Sequence, residues 1–329
     1  MSKIAPWLAG ILCLAALVAV VTHAGELRTF VTILQHARPW LLTIAVVLQI
    51  STYMSVALCW RAVLADTGQA PPLKKLIRLS IAKLFADQAI PSAGLSGNML
   101  LIERLVASGV RRPVAVAAMA MAIVGYYCAY VVMALAVLLL LWLHKNATIL
   151  LASAVSIFLV VALSIITLVF LLLTRSSDLP RAVKQWKPLR RLSDLLAEVP
   201  RGVLGQWPLL LQVTAFSGAV FLADATTLWV ILAAIGMPTA FTSAFIAFIL
   251  ASMAVTLGPI PMGLGSFEGV SIGMLRALGV PIEAAATAVL VFRGFTLWLP
   301  LLPGMALTRR MFERSKTPDI GWRDPEIHL

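Results

Sequence analysis

The chain has 329 residues, 61% of them hydrophobic and only 12% charged, with a formal net charge of +12. So much apolar side chain exceeds what one soluble core of this length needs, and a mean hydropathy of +0.97 excludes a soluble globular domain and a disordered chain alike. The class that fits is an all-α polytopic membrane protein, in which lipid replaces water around most side chains. In such a chain a basic excess reports topology before it reports nucleic acid, and no nucleic-acid partner is expected. Cys13, Cys59 and Cys128 each sit alone in an apolar run, and His23, His36, His144 and His328 lie at segment ends or in the tail. That spacing gives no metal site, no disulfide framework and no His-based catalysis, and no cofactor is expected.

A bilayer crossing needs about 17–25 apolar residues. In chain order the first such run is residues 6–21. Lys3 before it and Thr22-His23-Ala24 after it outline a signal peptide, but the remainder is itself a membrane protein, so an uncleaved first helix is the plainer reading. Residues 40–60 form the second run. Residues 79–110 are apolar but broken by Ile90-Pro91-Ser92-Ala93-Gly94-Leu95-Ser96-Gly97. Runs 114–143 and 149–173 follow, and the basic segment 174–207 comes next. That segment, with Trp186 and Trp207, reads equally as an amphipathic helix on the anionic inner leaflet or as a topology determinant alone. The fifth run is 209–235. Residues 241–280 are broken in turn by Gly258-Pro259-Ile260-Pro261-Met262-Gly263-Leu264-Gly265, and the sixth run is 284–307. The whole is one integral domain over 1–310 with a tail at 311–329.

Proline and glycine at this density stop a helix, and the half-helices on either side are too short to cross comfortably. Each broken stretch is therefore expected to be a re-entrant hairpin. With the N-terminus inside and six crossings, 19 of the 26 basic residues fall on the cytoplasmic side and only Arg28, Arg38 and Lys145 on the other. Both termini are then cytoplasmic. Two full spans per hairpin would give the same sidedness, so re-entry rests on the short half-helices.

The two broken stretches match each other at a fixed offset of 170, from Ile90 to Ala118. Ile90, Pro91, Ser96, Ile102, Leu105, Ala107, Gly109, Val110, Ala115 and Ala118 are identical to their counterparts, as Pro91 is to Pro261 and Gly109 to Gly279. Three crossings separate the copies, so the halves 79–143 and 241–308 are expected to be inverted in the membrane. Inverted repeats with broken helices are a secondary-transporter architecture, with the cargo site near the midplane. An old duplication kept for packing alone is the competing reading.

Ionisable residues inside apolar segments are costly and are functional candidates by default. They are Asp224 in the fifth run, Arg293 in the last, Glu268 after the second glycine loop, Lys83 and Asp87 before the first, and Arg104 after it. Mutual pairing is the competing reading, for example Arg293 with Glu268 or with Asp224. The loops add Gly94, Gly97, Gly263, Gly265 and Ser266, because the helices that follow would aim unpaired N–H groups into the membrane interior. A lipid phosphate suits such a site. Glu268 near one of these N-termini would instead fill it from within. Gly263 to Gly269 has the outline of a dinucleotide loop, but no strand precedes it.

The run from Gly258 to Glu268, then Leu278-Gly279-Val280-Pro281, Arg293 and Leu299-Pro300-Leu301-Leu302-Pro303-Gly304, resembles the lysylphosphatidylglycerol synthase transmembrane-region family, also called a flippase-like domain. Pro91 to Gly97 with Arg104 and Gly109 resembles that family's first glycine-rich segment, with fewer glycines than usual. The resemblance covers roughly residues 5–310 and implies a lipid-translocating domain. Its bifunctional members carry a soluble aminoacyltransferase domain, for which about 20 residues after the last span leave no room. The expectation is a non-enzymatic lipid transporter of the bacterial inner membrane. Its partner would be a membrane lipid: an anionic phospholipid, an aminoacylated lipid, a polyprenyl-linked lipid or a hopanoid. A homo-oligomer is compatible with this. The alternatives are a non-catalytic membrane partner of a lipid-synthesis enzyme and an integral enzyme acting on a lipid headgroup.

Overall fold

The computed structural model describes residue 35, residues 37–89, 95–143, 149–174, 206–258 and 263–298, and residues 300, 303, 304 and 307. The first apolar run, the tip of the first hairpin with Gly94, most of the basic segment and the tail lie outside the described residues. Those described are helical, with no strand among them.

Among the described residues, three helices are long and apolar enough to cross a bilayer: α1 (Pro39–Asp66), α4 (Arg112–Leu143) and α6 (Trp207–Ala234). Proline near the first turn of α1 and α6 costs no hydrogen bond, because those N–H groups have no intrahelical partner. Between α1 and α4 lie α2 (Leu73–Ala89) and α3 (Leu95–Val106), and after α4 comes α5 (Ile149–Thr174). After α6 come α7 (Phe241–Leu257), α8 (Ser266–Ala277) and α9 (Ile282–Arg293). Residues 244–251 of α7 are buried without interruption, as expected of a helix apolar on every side.

The core forms two large clusters at opposite ends of α4 and α6. One joins the start of α4 (Val114 to Met121) and of α6 (Leu209, Val213) to α2, α3 and the second half of α1. The other joins the later parts of α4 and α6 to α5, α7, α8 and α9. Gly125 lets α4 and α6 approach closely, since a Cβ there would collide with Val213.

The two broken stretches take the same local form. Helices α3 and α8 have 12 residues each, and α2 and α7 have 17. Gly109 and Gly279 follow α3 and α8 with φ of 89° and 92°. The N–H of Val110 then returns to the Leu105 carbonyl at 3.1 Å, and that of Val280 to Leu275 at 2.9 Å. Glycine ends both helices because only it adopts this backbone without strain. Of the identities between the stretches, Leu105, Val110, Ala115 and Ala118 are buried, and so are Leu275, Val280, Ala285 and Ala288. Packing is therefore part of what the match preserves.

The last run, expected as one continuous span, is not one continuous α-helix. The α-helix ends at Arg293, and residues Gly294–Trp298 form a π-helical turn. Pro300 supplies the reason: it has no N–H for the Thr296 carbonyl, and its ring would press on that carbonyl in a regular α-helix. Such wide turns concentrate at functional sites.

Candidate functional site

Two helix N-termini, those of α3 and α8, each hold a carboxylate and a cation. At α8, Gly263 and Gly265 have φ of 64° and 84°, turning the chain sharply into the helix. Glu268 reaches back one turn, and its Oε2 accepts the Gly265 N–H at 2.7 Å. A carboxylate three residues into a helix makes this contact readily, and it also meets the positive end of the helix dipole. Its other oxygen, Oε1, accepts from Arg293 Nε at 2.6 Å. Glu268 therefore fills the α8 N-terminus from within, and Arg293 pairs with Glu268 rather than with Asp224.

Arg293 is further fixed by aromatic rings. Its guanidinium lies 5.0 Å from the centroid of Phe267. Phe267 stacks on Phe292 at 5.6 Å, and both rings meet Phe248 edge-on. A flat guanidinium over a ring gains from the ring quadrupole, and more so where water is scarce. The sequence reading missed these rings. Phe267 and Phe292 flank Glu268 and Arg293 directly, which is the signal that could have found them.

At α3 the parts are similar but come from elsewhere in the chain. Asp87 on α2 accepts the Gly97 N–H on Oδ1 at 2.9 Å and pairs with Lys83 Nζ on Oδ2 at 2.7 Å. The Ser96 hydroxyl donates to the Ala86 carbonyl at 2.9 Å. Gly97 is required here, because a Cβ would run into the Asp87 carboxylate. At the offset of 170, Lys83 and Asp87 correspond to Met253 and Leu257, and Arg293 to Ile123. The two stretches thus share a backbone form, while each recruits its charges independently.

Ser266 donates to the Gly263 carbonyl at 3.1 Å, inside the second loop. Arg104 is in the last turn of α3, ~10 Å along the axis from Gly97, so it is not gathered with Lys83 and Asp87. Asp224 stands apart from both carboxylate and cation pairs. It accepts from Gln49 Nε2 of α1 at 3.5 Å and forms no ion pair among the described residues.

Two described residues beyond Arg293 pack on the first broken stretch. Gly304 packs on α2, where a Cβ would meet Phe85 and the Ile81 carbonyl. Leu307 packs against Ala82, Ala86 and Leu100 of the first hairpin.

Comparison with known proteins agrees with the resemblance drawn from the glycine loops. Residues 7–304 match the family described as the lysylphosphatidylglycerol synthase TM region. Over 111 residues the chain is 32% identical to a phosphatidylglycerol lysyltransferase of Staphylococcus haemolyticus, a match covering 31% of this chain and 13% of that protein. The match thus spans about one eighth of that relative's length. With its apolar crossing helices and a match over nearly its whole length, the chain belongs to the lysylphosphatidylglycerol synthase transmembrane-region family.

Proposed function

We propose that the protein is a flippase that moves a lipid with a phosphate-bearing headgroup across a bacterial inner membrane. The observation that carries this reading is the partly buried Glu268 carboxylate, an anion held by Arg293 and by the Gly265 N–H at the start of α8. A headgroup phosphate offers oxygens to the same two donors. It would compete with Glu268 for these donors as one anion with another. Asp87 is held in the same way by Lys83 and the Gly97 N–H on the other hairpin.

The reading includes six crossings, cytoplasmic termini and two inverted re-entrant hairpins, one entering from each face. Helices of 12 residues, ~18 Å long, against a hydrocarbon core of about 30 Å support re-entry. Core clusters at opposite ends of α4 and α6 support the inversion. Transport breaks no covalent bond, and the carboxylates here are engaged by donors rather than set against a nucleophile. The proposed role is therefore not enzymatic. Phosphate chemistry favours an anionic, aminoacylated or polyprenyl-linked phospholipid over a hopanoid that lacks phosphate.

The test uses proteoliposomes of the full chain with fluorescent phosphatidylglycerol. Wild-type protein should speed its transbilayer movement, and Arg293→Ala should slow it by about tenfold or more, the effect of losing one charge-assisted contact. Folded wild-type protein that moves no phosphate-bearing lipid overturns the proposal.

A further inference from the structure

We propose that Asp224 is a proton-binding site near the middle of the membrane, and that the proton it takes up drives the proposed transport. The role rests on the transport reading, while proton binding has a readout of its own. Asp224 lies ~15 Å along α6 from the Ala234 end, and Gln49 ~15 Å along α1 from the Pro39 end. The two ends are level, because the Arg38 N–H donates to the Ala234 carbonyl at 2.9 Å. Asp224 and Gln49 therefore meet about half-way through a hydrocarbon core of about 30 Å.

At that depth an ionised carboxylate needs a cation beside it, and among the described residues none pairs with Asp224. The helices packed on α6 are α1, α4, α7 and α9. Asp224 is the one ionisable residue of α6 itself, and α7 has none. Along α1, Arg38 and Arg61 are ~17 and ~18 Å from Gln49, and along α4, Arg112 is ~21 Å from Tyr126. On α9, Arg293 pairs with Glu268, and Glu283 stands in the first turn. The groups that do face Asp224 are neutral. Gln49 Nε2 donates to Asp224 Oδ1 at 3.5 Å, and the Tyr53 hydroxyl is hydrogen-bonded to the Gln49 side chain. Tyr53 and Tyr126 lie within electrostatic reach of the carboxyl group.

The hydrogen bond from Gln49 does not require an acid. Gln49 would donate equally to the carbonyl of an asparagine, so what aspartate adds here is the capacity to gain and lose a proton. A proton needs only one carboxylate oxygen, whereas hard metal cations gather several oxygen ligands. Loading forms an O–H bond with a proton taken from water on one side. Release breaks that bond and returns the proton to water on the other side, and no other bond changes. The carboxyl group is not sealed in the core: Asp224 is partly exposed, and Leu222 and Tyr126 near it are 44% and 39% exposed. Helix α6 also packs on α9, which carries Arg293, and α1 packs on the π turn that follows it. The proton site and the phosphate site thus share neighbouring helices.

Proton binding is read by infrared difference spectroscopy of the full chain in liposomes, between acid and alkaline pH. Wild type should show a carboxylic-acid band that Asp224→Asn removes and Glu268→Gln leaves. The absence of any band that depends on Asp224 overturns the proposal. Coupling is read in proteoliposomes with fluorescent phosphatidylglycerol and a difference of about one pH unit across the membrane. One proton per lipid predicts a leaflet ratio shifted by up to about tenfold beyond that of protein-free liposomes. Asp224→Asn should still equilibrate the lipid, but without that shift, and Asp224→Glu, which keeps the acid, should retain it. A wild-type ratio indifferent to the pH difference, a shift that survives Asp224→Asn, or the same shift from a sodium gradient at equal pH overturns the proposal. Wild type that moves no lipid but shows the Asp224 band leaves the proton site standing and removes the transport reading, so the two failures are distinguishable.

Discussion

Glu268 has two jobs that a single substitution can separate. Glutamine can still accept the Gly265 N–H, as glutamine does in capping boxes, but it cannot neutralise Arg293. Glu268→Gln should therefore cost about 1–3 kcal/mol, from the lost charge-assisted contact with Arg293 rather than from a lost cap. Denaturation in detergent should show that loss, and Glu268→Ala should lose roughly a further 1 kcal/mol. Part of this was legible beforehand. Lys83 and Asp87 are one helical turn apart, and Glu268 stands just after a glycine turn, so both local contacts follow from spacing. Whether Arg293 chose Glu268 or Asp224 was not legible, because that depends on how α9 packs on α8. The contact between Asp87 and Gly97 crosses a glycine loop, and no periodicity reports it.

The hairpins show which sequence signals translate into elements. Gly109 and Gly279 sit at matched positions because both helices must end in a left-handed residue, and this was readable as a repeat. Gly265 should tolerate alanine poorly: at φ of 84° the cost is about 1–2 kcal/mol of backbone strain, although space around it is open. Gly97→Ala tests the opposite case, where the backbone is ordinary but Asp87 blocks the space. It should displace Asp87 from the α3 N-terminus and lower the melting temperature. The break in the last span was not anticipated, because its apolar composition is uniform across Arg293. Pro300, which cannot continue the backbone ladder, accounts for the π turn.

At the scale of the whole molecule, length and hydropathy were enough to read an all-helical membrane protein, and α1, α4, α5 and α6 lie where apolar runs predicted them. What charge counting left open was whether the broken hairpins cross fully. Single cysteines in a background with Cys13, Cys59 and Cys128 replaced address this. Re-entry predicts that an impermeant maleimide labels Ser108→Cys from the cytoplasmic side and Leu278→Cys from the opposite side. It also predicts that Leu264→Cys, at the tip of the second hairpin, resists the reagent from the cytoplasmic side. Full crossing predicts cytoplasmic labelling at Leu264→Cys.

In the proposed function Arg293 and Glu268 serve cargo and do not merely hold α8 to α9. The double variant Arg293→Met with Glu268→Gln separates the two, because it removes both charges, keeps an acceptor for Gly265 and fills similar volume. Replacing an ion pair that is largely shielded from solvent by neutral groups is often neutral for stability. Transbilayer movement of fluorescent phosphatidylglycerol in proteoliposomes of this variant is the decisive measurement. A role in binding cargo predicts a folded protein, with a melting temperature close to wild type and transport reduced about tenfold or more. A folded double variant that transports at the wild-type rate would contradict it.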